Sequence, residues 1–277
     1  MFALDRTVSA HSKDDEGYQS MKNDALLTEK ESSVTSSDID NDTGIPEDHT
    51  IEELEEVQSE ERVYEPRKRN TFAYGCYRFV KRCFDFFSSL AALLLFSWLI
   101  LLCLLIKWLE DFHNPVYVSA RVGKNGKVFR FYKIRTMCPN AEKMKQDLID
   151  KGLNEADGPV FKIKNDPRIT RFGKFLRKTS LDELLQLFNI LNGTMSVVGP
   201  RPPIPREVDE YTQYQFHRLD VKGGLLCLWQ IQKNRNKLSF QEWVELNLEY
   251  IRRQSVWLDL KIIFKGAFMV VFDHSGE

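Results

Sequence analysis

From Phe86 to Ile106 the chain runs through 21 residues without one charged side chain. Wound as a helix at 1.5 Å per residue, such a run reaches about 30 Å, the thickness of a bilayer's hydrocarbon core. The core helix of a soluble protein can be as apolar, but it is seldom apolar on every face and flanked by charge at both ends. The run is therefore read as a membrane helix over residues 84–107. Arg67, Lys68, Arg69, Arg78, Lys81 and Arg82 precede it, and Lys107, Arg121, Lys124 and Lys127 follow it. With both flanks positive, the positive-inside rule favours neither orientation of a spanning helix. A re-entrant helix, returning to the face it came from, satisfies both flanks and is the expectation.

The net charge of −1 hides an asymmetry. Residues 1–66 carry 19 acidic and 5 basic side chains, and the rest of the chain 21 and 34. The first segment is rich in Ser, Asp, Glu and Asn and poor in aromatics, a composition that cannot bury enough apolar surface to offset its ordering entropy. It reads as an acidic disordered tail, and residues 67–83 as a basic juxtamembrane segment. The basic remainder suits anionic partners: nucleotides, phosphorylated lipids or membrane lipids. Nucleic acid is not expected, for no recognition module or stacking motif is present. The five cysteines form no CxxC pair and read as free thiols. The polar N-terminus shows no cleavable signal.

Residues 108–277 read as a folded domain of strands and helices. Val116–Val122 and Val128–Arg135 are expected strands around Asn125-Gly126, a pair that tolerates the positive φ of a hairpin turn. Alternation places Phe129, Phe131, Lys133 and Arg135 on one face. Helices are expected over 141–153, 170–177, 207–218 and 240–252. The stretch 257–272, apolar with Asp259, Lys261 and Lys265 interposed, suits a helix lying along a membrane interface. Ser180-Leu-Asp-Glu183 predicts a capping box opening a helix that ends at Asn192-Gly193. The fold class is then α/β, mostly α: one re-entrant or transmembrane helix, a small β-hairpin and amphipathic interfacial helices.

The capping box would put Asp182 and Glu183 in a first helical turn, where backbone N–H groups favour negative charge. Such a carboxylate stays ionised and can serve as nucleophile or metal ligand. Acids in a first turn are common, and spacing alone favours a mere cap. Around them stand Arg171, Lys174, Arg177 and Lys178, with Lys133 on a strand and Arg201 between prolines. Carboxylates for a metal and guanidinium groups for a diphosphate would make a site for phosphoryl transfer. No Walker-type loop, GxGxxG or zinc-type His/Cys cluster is present.

From about Arg82 to Phe272 the chain resembles the bacterial sugar transferases, the monotopic polyprenyl-phosphate phosphoglycosyl transferases. The matching stretches are Arg121-Val-Gly-Lys-Asn-Gly-Lys127, Tyr132-Lys-Ile-Arg-Thr-Met137 and Asp166-Pro-Arg-Ile-Thr-Arg-Phe-Gly-Lys-Phe-Leu-Arg-Lys-Thr-Ser-Leu-Asp-Glu-Leu184. Further along come Leu187-Phe-Asn-Ile-Leu191, Met195-Ser-Val-Val-Gly-Pro-Arg-Pro202, Leu228-Trp-Gln230 and Trp257-Leu-Asp-Leu-Lys261.

The resemblance implies a transferase that moves a sugar phosphate from a nucleotide diphosphate sugar, UDP being the expected nucleotide, to polyprenyl phosphate. This step would initiate glycoconjugate or exopolysaccharide assembly. Asp182 would be the nucleophile and carry the phosphosugar; Glu183 would assist with Mg2+, so that both acids form the metal site. Lys133, Arg177, Arg201 and Arg235 would bind substrate phosphate. The active site would face the cytoplasm, at the inner membrane if the source is bacterial; a homodimer is left open. Departures are Trp98 after Ser97, where the family has Pro; Leu185 after the Asp-Glu-Leu; the run Lys222-Gly-Gly-Leu-Leu-Cys227; and Asn247 at an expected acidic position. These altered stretches leave a rival reading, a catalytically idle membrane scaffold with the same fold.

Overall fold

The computed structural model describes residue 64 and residues 71–153, 163, 165–232 and 235–272. The acidic tail, apart from Tyr64, lies outside them, as do residues 67–70 of the juxtamembrane segment. Two units are distinguished. One holds Tyr64 and Tyr211–His217, the other the remaining described residues.

Helix α1 runs from Thr71 to Asp111, 41 residues, and remains helical through Ser97 and Trp98. Among the described residues it is the one helix long and apolar enough to cross a membrane, by length and composition. It overruns the expected 84–107 at both ends, because the basic segment from Thr71 onward contains no proline and continues the helix. It stops at Phe112, which takes a left-handed conformation (φ 54°) while its N–H bonds the Trp108 carbonyl.

Strands β1 (Val116–Val122) and β2 (Val128–Ile134) form the expected antiparallel hairpin, with Val116 opposite Ile134 and Val122 opposite Val128. Asn125 and Gly126 both take positive φ, 55° and 76°, as that dipeptide was expected to. There follow α2 (Ala141–Asp150), α3 (Arg171–Lys178), α4 (Gln186–Leu191), β3 (Ser196–Val198) and α5 (Pro205–Asp209). Then come α6 (Gln213–Phe216), β4 (Gly224–Leu226), α7 (Phe240–Arg253) and α8 (Val256–Phe272). The helix expected over 207–218 is instead two short ones. Thr212 starts the second with a capping box: its Oγ1 accepts the Gln215 N–H while Gln215 accepts the Thr212 N–H. In that smaller unit Tyr64 stacks on His217 at 4.2 Å.

β3 and β4 pair in parallel, a contact the sequence did not announce. Two glycines permit it. A Cβ on Gly224 would stand 2.0 Å from the Gly199 nitrogen, and one on Gly199 would stand 2.5 Å from the Lys222 carbonyl oxygen.

The larger unit holds α1 along its length. Near the start, Lys81 donates to Asp259 (2.8 Å), Arg82 donates to the Ile190 and Leu191 carbonyls (2.8 Å each), and Asp85 accepts from Ser196 Oγ and the Val197 N–H. The Arg82 bonds satisfy terminal carbonyls of α4, which no intrahelical N–H can reach. Midway, Ile100 and Cys103 pack with Ile134, Leu176 and Leu185. At the end, the buried Lys107 donates to Glu110 and Thr170, and Arg135 makes a two-pronged pair with Asp111 at 2.6 and 2.7 Å. The opposite side of α1 is left apolar and open: Phe79, Phe87, Leu94, Trp98 and Leu101 are all exposed.

Candidate active site

The carboxylate pair sits on a tight turn between α3 and α4. Ser180 adopts a left-handed conformation (φ 55°) with no side-chain cap, and Leu181–Glu183 form a single 3-10 turn before α4 begins at Gln186. The expected capping box is thus absent. With φ positive at Ser180, the backbone doubles back, and its hydroxyl does not meet the N–H groups a cap would serve. Asp182 is consequently buried in a turn rather than placed on a helix end.

Lys133 reaches the pair from β2. Strand alternation buries Phe131 and brings Lys133, two residues on, to the same side. Its ammonium donates to Glu183 Oε1 at 2.7 Å and to Asp182 Oδ2 at 3.4 Å. Asn189 sets this register. Its side chain accepts the Tyr132 N–H and donates to the Arg130 carbonyl, occupying the edge of β2 as a neighbouring strand would. Arg135, expected on the same face, is instead spent on Asp111.

Arg177, at the end of α3, donates through Nε to Thr136 Oγ1 at 3.0 Å, and its charge acts on Asp182. Gly173 lets α3 come this close: a Cβ there would stand 2.0 Å from the Thr136 carbonyl oxygen. Arg201 lies in a proline run pinned from both sides. Val122 N–H and the Arg121 guanidinium donate to the Pro203 and Pro202 carbonyls, and the Gly224 N–H to that of Pro200. The Arg201 charge reaches Glu183.

The two acids differ. Burial pushes the Asp182 carboxyl above the usual range, against the pull of Lys133, and the negative Glu183 adds to the rise. Burial would raise Glu183 as well, but Lys133 and Arg201 outweigh it and hold that carboxyl low. The nearby Cys227 thiol is pushed up to about 12 by burial, so it is no rival nucleophile.

Two cavities meet at this pair. One, of about 590 Å³, is lined by Lys133, Arg177, Arg201, Asp182 and Glu183 and floored by the buried Asp166–Arg168 ion pair. The other, of about 350 Å³, is walled by Leu184, Leu187, Leu225, Leu226, Trp229 and Met269. Arg177, Ser180, Glu183 and Gln230 border both. Arg235 lines the second cavity together with Arg177 and Lys178, away from Lys133 and Arg201. Asn189, Thr136, Gln230 and the Asp166–Arg168 pair escaped sequence reasoning. All of them stood inside the matching stretches, which could have flagged them.

No group of three or more His, Cys, Asp or Glu that could hold a metal occurs among the described residues. Mg2+ asks for less, one or two carboxylates with water and substrate phosphates filling its octahedron. Lys133 engages one oxygen of each acid, which leaves a second oxygen on each. The donor set fits.

A long apolar helix is thus clasped to a small α/β unit, with a lysine-held acid pair where the two cavities meet. The chain belongs to the bacterial sugar transferase family, whose pattern matches residues 76–273. It is 43% identical over 183 residues to a galactosyl transferase, CpsE, of Streptococcus agalactiae serotype III, covering 66% of this chain and 40% of that protein. It is 38% identical over 213 residues to the undecaprenyl-phosphate galactose phosphotransferase of Salmonella typhimurium, covering 74% and 43%. With the exopolysaccharide production protein ExoY of Rhizobium meliloti it shares 40% identity over 187 residues, covering 67% and 82%. The match thus spans about two fifths of the first two relatives and most of the third.

Proposed function

We propose that the chain is a phosphoglycosyl transferase moving a sugar phosphate from a nucleotide diphosphate sugar to polyprenyl phosphate. The carrying observation is the Lys133-held acid pair at the junction of a basic and an apolar cavity. The basic cavity suits the diphosphate and its nucleotide, UDP by the family resemblance. The apolar one suits the first isoprene units of the acceptor, with Arg235 at hand for its phosphate.

Asp182 attacks the phosphorus that bears the sugar. A carboxylate–phosphorus bond forms, the bond to the bridging oxygen breaks, and the nucleoside monophosphate leaves with that oxygen. The acceptor phosphate then attacks the same phosphorus, and the aspartyl bond breaks to restore the carboxylate. Arg177 and Arg201 hold equatorial oxygens, and Lys133 keeps Glu183 ionised. Mg2+, held by Asp182 and Glu183 together with substrate phosphates, would offset the charge of the diphosphate.

Both ends of α1 are fastened to the same unit, at Lys81–Asp85 and at Lys107–Asp111. This supports a monotopic arrangement, with the outer face of α1 immersed in the cytoplasmic leaflet and both ends cytoplasmic. The idle-scaffold alternative leaned on Asn247, which lines neither cavity, and on the Lys222–Cys227 run, whose Leu225 and Leu226 supply apolar wall to one of them.

The test is a panel of nucleotide diphosphate sugars offered with a short polyprenyl phosphate. Release of nucleoside monophosphate and, without acceptor, retention of labelled sugar on the protein are expected. No release from any donor would leave the scaffold reading standing.

A further inference from the structure

A third cleft, of about 360 Å³, lies between the first turns of α1, the hairpin turn and the loop before β4, and shares no lining residue with the two cavities of the site. Five cations line it: Arg78, Lys81, Arg82, Lys124 and Lys222. Lys81 is committed to Asp259, and Arg82 to two carbonyl oxygens. The lining carboxylate, Asp85, is turned to Ser196 and Val197. Asp220 acts on Lys124 from outside the lining.

Lys222 stands close to Arg82, and Lys124 and Arg78 act on it as well, with Asp85 opposing. A Cβ on Gly193 would stand 3.2 Å from Arg82 Cζ and 3.4 Å from Lys222 Nζ, so two positive groups crowd one point. Burial and then the charge of Arg82 pull the Lys222 ammonium down; burial and then Arg78 do the same to Lys124. Like charges gathered in a half-buried cleft repel at a cost that a bound anion removes. The cleft also has an apolar edge. Phe79 lines it and is 71% exposed, and Phe84 and Phe87 are exposed a turn or two further along α1. Charge thus meets exposed aromatic surface where the apolar run begins, the level at which lipid headgroups lie.

We propose that this cleft binds a phosphate-bearing anion, the headgroup of an anionic phospholipid, through Arg78, Lys124 and Lys222, with the acyl chains along the exposed aromatic side of α1. The inference is independent of the chemistry assigned to Asp182.

The full chain in non-ionic detergent is titrated with dihexanoyl phosphatidylglycerol, with dihexanoyl phosphatidylcholine and with inorganic phosphate, and its melting temperature is followed. The phosphatidylglycerol is expected to raise it more than either of the others. Arg78→Gln with Lys222→Gln should at least halve that rise, whereas Lys143→Gln with Lys151→Gln, an equal charge loss on and beside α2, should keep it. Should the paired variant fail to fold, Lys124→Gln on the hairpin turn carries the same comparison. An equal rise with inorganic phosphate that the cleft variants also lose supports the anion site and assigns it to free phosphate. No rise with any ligand, or equal loss in the α2 control, overturns the proposal.

Discussion

Asp182 sits where burial and charge disagree. A carboxyl whose pKa is raised on folding contributes stability that is complete below its unfolded value, about 4, and is lost as pH rises through the folded value. Asp182→Asn removes the buried charge. It should therefore raise the melting temperature at pH 7.5 by about 1–4 °C, an advantage that fades as pH falls through the raised folded value and is gone below about 4, while transfer drops by at least about 10³-fold. Calorimetry across pH beside an activity assay checks both halves; substantial turnover by the variant removes Asp182 as nucleophile. Chelation should likewise stop transfer, with Mg2+ restoring it, because two acids facing a diphosphate repel it unless cations intervene. Undiminished activity after exhaustive chelation would contradict this. The family resemblance singled out Lys133, Asp182 and Glu183 where spacing alone favoured a mere cap, and the capping box itself does not exist. Ser-x-x-Glu is also compatible with a left-handed Ser180, and nothing local separates the two. Asn189 was invisible for another reason: a lone Asn inside Leu187-Phe-Asn-Ile-Leu191 reads as one polar break in an apolar helix.

At the scale of elements, the site depends on how β2 lies against α4. Asn189 makes both hydrogen bonds that fix this, to the Tyr132 N–H and the Arg130 carbonyl. Asn189→Leu leaves two half-buried backbone groups unpaired and should cost about 1–3 kcal/mol. Because Lys133 follows directly, the variant should also lose activity under conditions where it remains folded; denaturant titration and single-turnover rates separate the two effects. An unchanged midpoint would show that β2 is held by its strand partner alone. The hairpin, α3, α7 and α8 were legible because each carries its own period or turn pair. The pairing of β3 with β4 was not, since three-residue strands have no periodicity and meet through glycines. Likewise the break between α5 and α6 hangs on a single Thr212 cap within an otherwise helical pattern.

For the whole molecule, the question is which side of the bilayer each end of α1 occupies. In sealed vesicles, a cysteine probe near residue 60 and another near residue 125 should label from the same side; labelling from opposite sides would establish a spanning helix. Removing residues 1–60 should leave transfer within about a few-fold, for that composition offers no catalytic group. Loss of activity in a folded, membrane-bound truncation would give the tail a direct part. The clasps on α1 also impose an order in time. Arg82 waits for carbonyls 108 and 109 residues downstream, and Lys81 for Asp259, 178 residues downstream. At about 5–20 residues per second, that last partner leaves the ribosome roughly 10–35 s after Lys81 does. Until then those clasps cannot close, so the apolar run of α1 leaves the ribosome well before the residues that fasten its start.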